Sequence, residues 1–392
     1  MCLKRLRFFF FYYNCPHKLL KKVKIFQLGE KRTLNFFVDL FPVALLGLCL
    51  YKLKPVGNVL NETNDEYLSL QTCNCLRGIF AIVVVLHHLA QRTESGLLLP
   101  YFNKVGVISV GVFFFFSGYG LQKQYLKNGE KYRKNFLIKR LPSVIIPYAF
   151  FNVLSWILYA VGGNIYSVKE IICDFLNGHT LVSFSWYIVV IVEFYLFFFL
   201  FMLICKSNHF AMIVCTVIWF FVHFVLCIKM GFGSWWYASA HILPVGMFWA
   251  TYEDAILKII KKHYWLCFLA SVFGFVISIG LPKISGLMKA TIISKCLMFV
   301  LPFLEVIFFV LIVLMTMLKF KMKNAALEFL GKISLEVYLA QGIFMKCFRT
   351  HFINIESDVI YVIACIIATV VFAWIMHYID DYALRKYKKL IK

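Results

Sequence analysis

Long apolar blocks recur along this chain, and no other feature limits its fold so strongly. Each block is close to the roughly 20 residues that an α-helix needs to cross a ~30 Å hydrocarbon layer. Isolated strands in lipid leave backbone groups unpaired, so only helices are plausible. The sequence therefore predicts an all-α, polytopic integral membrane protein, a helical bundle with ten core transmembrane helices. The predicted spans are residues 75–91, 105–121, 142–161, 184–204, 210–228, 235–251, 264–281, 292–318, 333–348 and 358–379.

The composition excludes two other classes of protein. Hydrophobic residues make up 62% of the chain and charged residues only 15%, against averages of ~45–50% and ~25% in soluble domains. A soluble enzyme of this length could not bury so much apolar side chain, and a disordered chain would not contain it. The 13 cysteines are scattered without a C-x-x-C pair, so we expect small core residues and neither a disulfide framework nor a metal site.

The formal net charge is +22, which in a soluble domain would suggest nucleic acid. Here the positive residues follow the connections between the spans. Residues 122–140, 205–209, 252–263, 319–332 and 380–392 contain 20 Lys and Arg, whereas the intervening connections contain 7. The positive-inside rule places the first set in the cytoplasm. We therefore expect a cytoplasmic C-terminus, the lipid bilayer as a partner, and no nucleic-acid partner.

An extra N-terminal membrane helix is left open by the sequence. Residues 34–51 are apolar enough to span, although Asp39 and Pro42 weaken this interpretation. If the segment spans, the basic residues 1–33 lie outside, against the positive-inside rule. Either the segment does not cross fully or the assigned start is too early.

Three regions follow from these patterns. Residues 1–66 form a basic and aromatic extension that contains the segment just described and the first part of a polar linker, 52–74. Residues 67–380 form the membrane domain, and residues 381–392 form a basic cytoplasmic tail. The sequence gives no indication of the oligomeric state.

Arg77 and His88 are the strongest candidates for a functional pair, because ionisable groups within a span are costly. They are eleven residues apart in LRGIFAIVVVLHH. Eleven residues make three helical turns plus about 20°, so both side chains lie on one stripe, roughly 16 Å apart. His87 lies about 100° away from His88, so the spacing prefers His88 as the partner. Alternatively, Arg77 anchors the helix end and the histidines bond to neighbouring helices.

Ser117 and Gly118 interrupt a phenylalanine run in VFFFFSGYG. Small residues let helices approach closely, and the alternative is a local helix break that borders a cavity. Lys139 and Arg140 end a basic stretch before a proline. They belong to a cytoplasmic loop, and they could also hold a phosphate-bearing ligand.

Several polar residues in the later spans need a partner or a role. Glu193 lies in the middle of an apolar run and must be paired or neutral. Trp186 is expected in the aromatic belt at the outer edge. We expect Ser334, Glu336, Tyr338 and Gln341 to recur on one side of a helix.

Four further histidines show no partner pattern, and we expect each to serve in structural hydrogen bonding. They are His223, His241, His351 and His377.

Five segments in this order resemble the membrane acyltransferases of acyltransferase family three, which includes polysaccharide O-acetyltransferases. The resemblance covers roughly 67–380. Its strongest element is an Arg, ten residues and a His, matched by Arg77 and His88. The other segments are VFFFFSGY with Ser117, Gly118 and Tyr119, KRLPSVIIPY with Lys139 and Arg140, SWYIVVIVEFYL with Trp186 and Glu193, and GKISLEVYLAQG with Glu336 and Tyr338.

The resemblance implies acyl transfer from acetyl-CoA, or another acyl-CoA, to a hydroxyl of a glycan in a bacterial plasma (inner) membrane. His88 would be the general base or would carry the acyl group, with Arg77 beside it. Arg77, Lys139 and Arg140 would hold the donor's phosphates, and no metal is implied. The residues expected to line the substrate path are Ser117, Gly118, Tyr119, Trp186, Glu193, Glu336 and Tyr338.

This chain departs from the family pattern at three positions. Ser143 stands where the family has a second basic residue, Gly111 replaces an acidic residue, and Gln341 replaces a late histidine. The main alternative is a secondary transporter or glycan flippase without acyl-transfer chemistry. That class predicts two similar halves with discontinuous helices, which the sequence does not show. A non-catalytic membrane scaffold is a third reading.

Overall fold

The computed structural model describes residues 36–163, 165–285, 292–349 and 353–390. In these residues the chain is a bundle of α-helices with one short two-stranded sheet. In chain order the helices are α1 (Leu40–Leu50), α2 (Leu70–Ala90), α3 (Gly106–Lys134), α4 (Phe136–Arg140), α5 (Pro142–Val161), α6 (Val168–Leu176), α7 (Trp186–Cys205), α8 (His209–Lys229), α9 (Ile242–Thr251), α10 (Glu253–Lys262), α11 (Tyr264–Ser285), α12 (Ile292–Lys319), α13 (Ala325–Lys332), α14 (Ser334–Cys347) and α15 (Asp358–Leu390), and the strands are β1 (Leu53–Pro55) and β2 (Phe320–Met322).

Seven of the described helices are long and apolar enough to cross a membrane, namely α2, α5, α7, α8, α11, α12 and α15. The all-α membrane bundle is therefore confirmed. The other three predicted spans are also helical but differ in kind: α3 continues from its apolar half into a charged half, α9 has ten residues and α14 has fourteen. The count of ten transmembrane helices stays a prediction.

The helix that carries Arg77 and His88 starts earlier than the hydrophobic pattern indicates. The Ser69 hydroxyl accepts a hydrogen bond from the Thr72 N–H, so α2 begins at Leu70 and not near Cys75. A serine at this position satisfies one of the free N–H groups of the first turn. The helix then runs without interruption to Ala90, and Arg77 and His88 lie on the same rigid element.

Contacts between connections define two ends of the bundle. At what we call the basic end, Asp65 pairs with Lys261, Lys123 pairs with Glu253, and the Tyr125 hydroxyl donates to the Lys206 carbonyl. At what we call the opposite end, Asp358 accepts from the backbone N–H groups of residues 94 and 95. The connections of the lysine- and arginine-rich set thus meet at one end.

The polar segment that the sequence indicates as a linker is held against α12. Strand β1 pairs antiparallel with β2, with Lys54 opposite Lys321. The Asn64 side chain donates to the carbonyls of Met317 and Phe320, at 3.1 and 3.2 Å. Residues 53–64 therefore belong to the folded unit at the basic end.

In the part of the segment 34–51 that the structure describes, from residue 36 on, there is no single membrane-length helix. Asp39 ends a short 3₁₀-helix, Phe36–Asp39, and α1 follows with eleven residues, or roughly 16 Å. The buried Asp39 carboxylate accepts from the N–H groups of three consecutive residues, 97–99, at 2.6–2.9 Å. Asp39, which weakened the interpretation as a membrane span, thus holds the start of α1 at the opposite end. The basic stretch 1–33 lies outside the described residues.

Two glycines let α2 and α13 cross in direct backbone contact. A Cβ on Gly78 would overlap the Leu327 carbonyl oxygen, and a Cβ on Gly331 would overlap the Asn74 carbonyl oxygen. Such close approach is typical of small residues in membrane helices. It places Arg77, next to Gly78, against the end of α13.

A second close crossing decides between close packing and a helix break at Ser117 and Gly118. Helix α3 is continuous through these residues, and its non-helical position is Gly129. A Cβ on Gly118 would overlap the Leu243 carbonyl oxygen of α9. Gly118 therefore allows close packing of the two helices, and the alternative, a local helix break, is not observed.

We predict that Gly331→Ala lowers the thermal stability of the protein, because its Cβ would force the backbones of α2 and α13 apart. Gly120→Ala is the matched control, since no atom lies within 4 Å of a Cβ there and alanine favours a helix by ~1 kcal/mol over glycine. The measurement is the fraction of monodisperse protein that survives heating in detergent. Equal stability of the two variants would contradict the close crossing.

Candidate functional site

A cavity of about 230 Å³ lies inside the bundle between α2, α3, α5, α7 and the junction of α13 with α14. We call it the Arg77 cavity. Part of its wall is apolar and includes Ala81, one helical turn after Arg77. The polar side chains at its wall are Arg77, Ser117, Tyr187, Tyr195, Lys332, Ser334 and Tyr338.

Arg77 brings a positive charge to this cavity. Its Nη1 atom lies 3.4 Å from the amide oxygen of Asn74, and the guanidinium lies 5.7 Å from the ring centre of Phe116. Among the described residues, no carboxylate forms an ion pair with it. The charge is therefore available to an anionic group that enters the cavity, and a guanidinium binds phosphate or carboxylate oxygens well.

Two of the three tyrosines that line the cavity lie next to each other. The rings of Tyr187 and Tyr338 are 5.6 Å apart, and the Tyr338 hydroxyl donates to the carbonyl of Phe184. Ser117 donates its own hydroxyl proton to the Phe113 carbonyl at 2.9 Å. The cavity therefore combines a cation with phenol and hydroxyl groups that can contact a polar ligand.

His88 stacks on Phe184. The ring centres are 3.7 Å apart with 12° between the planes, and Nδ1 of His88 lies 3.3 Å from the Gln91 side-chain oxygen. Phe184 has a φ of 69°, a left-handed conformation that is strained for a phenylalanine. The Tyr338 hydrogen bond and the Arg92 guanidinium, 5.1 Å from the Phe184 ring, hold it there.

His87 is fully engaged within the protein, unlike its neighbour. Its Nδ1 lies 2.9 Å from the Phe102 carbonyl oxygen, and its Nε2 lies 3.1 Å from the Gln91 side-chain nitrogen. Among the described residues, Nε2 of His88 has no hydrogen-bond partner. The preference for His88 over His87 that the helical spacing gives stays a prediction.

The shared stripe led us to expect Arg77 and His88 in one cavity, but the Arg77 cavity does not include His88. The Arg77 cavity extends along α2 only to Ala81, and His88 lies seven residues, or about 10 Å, further along the helix. The Phe184 ring covers the imidazole, and the link to the cavity runs through Phe184 and Tyr338. Helical spacing gives the direction of a side chain but not which neighbouring segment covers it.

Lys139 and Arg140 lie on the short helix α4 and do not line the cavity. Lys139 is exposed, and the Nε–H of Arg140 donates to the Tyr132 hydroxyl at 3.3 Å. Burial raises the pKa of the Tyr132 phenol, so its oxygen stays an uncharged partner. The ring centre of Phe136 lies 5.4 Å from that of Tyr132 and 6.0 Å from that of Tyr195, which is at the cavity wall. Arg140 therefore lies behind this wall without opening into the cavity.

Tyr119 belongs to a separate polar cluster at the basic end. Its hydroxyl donates to the Glu253 carboxylate at 3.1 Å, Tyr67 donates to the same group at 2.6 Å, and Lys123 pairs with it. Burial and the hydrogen bond to Glu253 raise the pKa of the Tyr67 phenol. This cluster connects α10 to α3 and to the segment before α2, which is a structural role.

Glu193 and Trp186 also lie away from the cavity. The carboxylate of Glu193 accepts from Trp219 Nε1 at 2.9 Å and lies 3.0 Å from Nδ1 of His223. Glu193 is thus paired, as a carboxylate within an apolar run must be. Trp186 packs in the core beside Phe114 rather than in an aromatic belt.

Glu336 faces α15 and not the cavity. One of its oxygens lies 2.9 Å from Nδ1 of His377. On a helix, residues two apart point about 200° from each other, so Glu336 cannot share the face of Ser334 and Tyr338. Grouping all of these polar residues on one side was therefore wrong.

The remaining histidines follow the expectation of structural hydrogen bonding in the described residues. His223 and His377 pair with glutamates, and Nε2 of His241 lies 3.0 Å from the Phe303 carbonyl oxygen. His351 lies outside the described residues.

The departures from the family pattern have local explanations. The hydroxyl of Ser143 donates to the Arg140 carbonyl at 2.6 Å. A Cβ on Gly111 would overlap the Val306 side chain, so no acidic side chain fits there without a shift. Gln341 is buried, and its amide donates to the Tyr338 carbonyl at 3.1 Å.

Sequence reasoning missed Tyr195 and Lys332. Tyr187, Ile191 and Tyr195 follow one another at four-residue spacing on α7, a signal that would have placed them on one face. Lys332 had counted only as one of the positive residues of its connection. A hydrogen bond from Lys332, which lies 2.9 Å from the Glu328 carboxylate, lowers the pKa of Glu328.

Comparison with known proteins gives one result. A family model described as an acyltransferase domain matches residues 71–378. The match covers most of the chain and includes both ends of the Arg77–His88 pair. Searches of curated proteins and of solved structures returned no match.

We predict that Glu193 is structural. Glu193→Leu leaves the Trp219 N–H without its acceptor, at a cost of ~1–3 kcal/mol for a buried group. It also removes the partner of His223 Nδ1, and it should lower the thermal stability. Glu193→Gln keeps an acceptor and should lose much less. Heating of the purified variants in detergent measures this difference. Unchanged stability of the leucine variant would contradict the structural role.

Proposed function

This chain belongs to acyltransferase family 3, and on that premise we propose that it transfers an acetyl group from acetyl-CoA to a hydroxyl of a cell-surface or exported glycan. It is an integral membrane acyltransferase. The observation that carries the finer proposal is a cavity inside an apolar bundle with Arg77 at its wall, whose guanidinium forms no ion pair with a carboxylate of the described residues. We further propose that it resides in a bacterial plasma membrane with its C-terminus in the cytoplasm.

The reaction needs a base, and His88 is the residue we assign. The hydroxyl oxygen of the glycan attacks the thioester carbonyl carbon, and a C–O bond forms as the C–S bond breaks. Nε2 of His88 takes the hydroxyl proton and then gives it to the departing CoA thiolate. An imidazole suits this step because its ordinary pKa is ~6.5, close to neutral pH.

The donor's path follows from the charge distribution. Lys139, Arg140 and Arg77 would hold the phosphates of CoA on the side where the Lys- and Arg-rich connections meet, which the positive-inside rule makes cytoplasmic. His88 lies nearer the opposite end, where a glycan would arrive. A thioester in the Arg77 cavity reaches His88 only when the Phe184 ring leaves the imidazole, so Phe184 must move in the catalytic cycle.

His88 could instead carry the acetyl group itself before the glycan receives it. A single turnover with radiolabelled acetyl-CoA and no acceptor distinguishes the two versions. A labelled peptide that contains His88 would exclude the role of a simple base, and an unlabelled one would exclude the covalent role.

We predict that His88→Ala abolishes transfer, whereas His87→Ala reduces it much less, because both nitrogens of His87 are used inside the protein. The assay incubates purified protein with radiolabelled acetyl-CoA and surface glycan of the producing cells, stripped of its esters with mild alkali. Protein abundance serves as the control for folding. Equal effects of the two substitutions, or none, would favour a transporter or flippase without acyl-transfer chemistry.

We predict that the double substitution Lys139→Gln and Arg140→Gln raises the KM for acetyl-CoA about tenfold, which corresponds to ~1.4 kcal/mol. The KM for acetyl-pantetheine, which lacks the nucleotide phosphates, should change little. Replacement of Lys131 and Lys134 by glutamine is the matched control, since both are exposed lysines of the same basic stretch.

Two outcomes would contradict phosphate binding by Lys139 and Arg140. One is an equal rise of the KM for both acyl donors. The other is the same rise in the Lys131 and Lys134 control.

A further inference from the structure

We propose that Gln91 is a positioning residue that fixes His88 in the tautomer with its proton on Nδ1 and its lone pair on Nε2. The proposal rests on the assignment of His88 as the catalytic base. It adds a reason why Nε2 of His88 is the atom that reacts, among the four ring nitrogens of the adjacent residues His87 and His88.

The first step of the argument is the Phe102 carbonyl. A carbonyl oxygen only accepts hydrogen bonds, and it lies 2.9 Å from Nδ1 of His87. The proton of neutral His87 must therefore be on Nδ1. Its Nε2 then carries a lone pair and can only accept.

The second step passes through the side chain of Gln91. Its nitrogen lies 3.1 Å from Nε2 of His87, and its oxygen lies 3.3 Å from Nδ1 of His88. Because Nε2 of His87 must accept, Gln91 donates there through its amide N–H. The amide oxygen consequently faces His88 and accepts from an Nδ1–H.

The third step concerns His88 itself. A neutral imidazole with its proton on Nδ1 has its lone pair on Nε2. Among the described residues nothing bonds to that nitrogen, so the lone pair is free to take a proton. One proton arrangement thus runs from a backbone carbonyl through His87 and Gln91 to the reactive atom of His88.

In the closed site the ring of Phe184 also stacks on one face of the His88 imidazole, and the Arg92 guanidinium donates to the His88 backbone carbonyl at 3.0 Å. When Phe184 moves for the transfer, the hydrogen bond to Gln91 remains to orient the ring. Gln91 is itself an exposed residue that immediately follows α2. Its loss should therefore cost little packing, and its substitution reports on the hydrogen bonds.

Only an amide supplies both a donor and an acceptor at this position. Gln91→Leu removes both hydrogen bonds. Gln91→Glu keeps an acceptor for the Nδ1–H of His88 but cannot donate to His87. The two variants separate orientation of His88 from the bond to His87.

The kinetic test compares these variants with Gln71→Leu, a control on the same helix whose side chain bonds only to the exposed ion pair of Glu328. Transfer from radiolabelled acetyl-CoA to the alkali-treated glycan is measured. We expect Gln91→Leu to lower kcat roughly 10- to 100-fold, part of the ~10²–10⁴ that a positioned base contributes, with KM unchanged for both substrates. Gln91→Glu should stay within a few-fold of the native kcat.

The tautomer can be read without turnover. Protein with ¹⁵N-labelled histidine in lipid bilayers should give a His88 signal, assigned by its loss in His88→Gln, with an unprotonated Nε2. In Gln91→Leu that signal should shift toward a mixture of tautomers.

The outcomes separate this inference from the proposed function. If His88→Ala is inactive but Gln91→Leu equals the Gln71→Leu control, or raises KM and leaves kcat unchanged, the role of Gln91 is refuted and the base stands. If His88→Ala keeps its activity, the base assignment is refuted. A native His88 signal with the proton on Nε2 would overturn the tautomer argument whatever the activity.

Discussion

A polar group inside an apolar helical bundle must find a partner, because an unpaired one costs several kcal/mol in hydrocarbon. This constraint organises the chain. Glu193 is held by Trp219 and His223, Glu336 by His377, and Asp39 by three backbone N–H groups. In the described residues, the guanidinium of Arg77 forms no ion pair with a carboxylate, and Nε2 of His88 has no hydrogen-bond partner. Both groups are therefore available for chemistry.

Close backbone contact then decides where these groups lie. Gly78 and Gly331 let α2 rest directly on α13, so Arg77 meets the Lys332 end of that helix. Gly118 likewise allows close backbone contact between α3 and α9, and the neighbouring Ser117 lines the cavity. The adjacent pair of small residues therefore has two functions, one for each face of the helix. The polar cavity depends on these glycines, because larger side chains at their positions would keep the helices around the cavity apart.

The sequence predicts the architecture better than the site. Length and hydropathy suffice for the helices, because a membrane span is a one-dimensional property of the chain. Helical spacing also prefers His88 to His87, and this preference stays a prediction. It does not reveal that Phe184 covers the imidazole or that Glu193 and Tyr119 serve other clusters, since these depend on which distant segments meet. The opposite faces of Glu336 and Tyr338, by contrast, follow from helix geometry alone and were available from the sequence. Tyr187 and Tyr195 were equally available from their spacing.

The two parts of the site are held in a relation that a transfer reaction can use. Tyr338 touches the Arg77 cavity and also bonds to Phe184, while Phe184 stacks on His88. A ligand that displaces Tyr338 therefore loosens the hydrogen bond from its hydroxyl to the Phe184 carbonyl, and relief of the backbone strain at Phe184 favours withdrawal of the ring. Occupation of the cavity and exposure of the base would then be coupled through a single side chain.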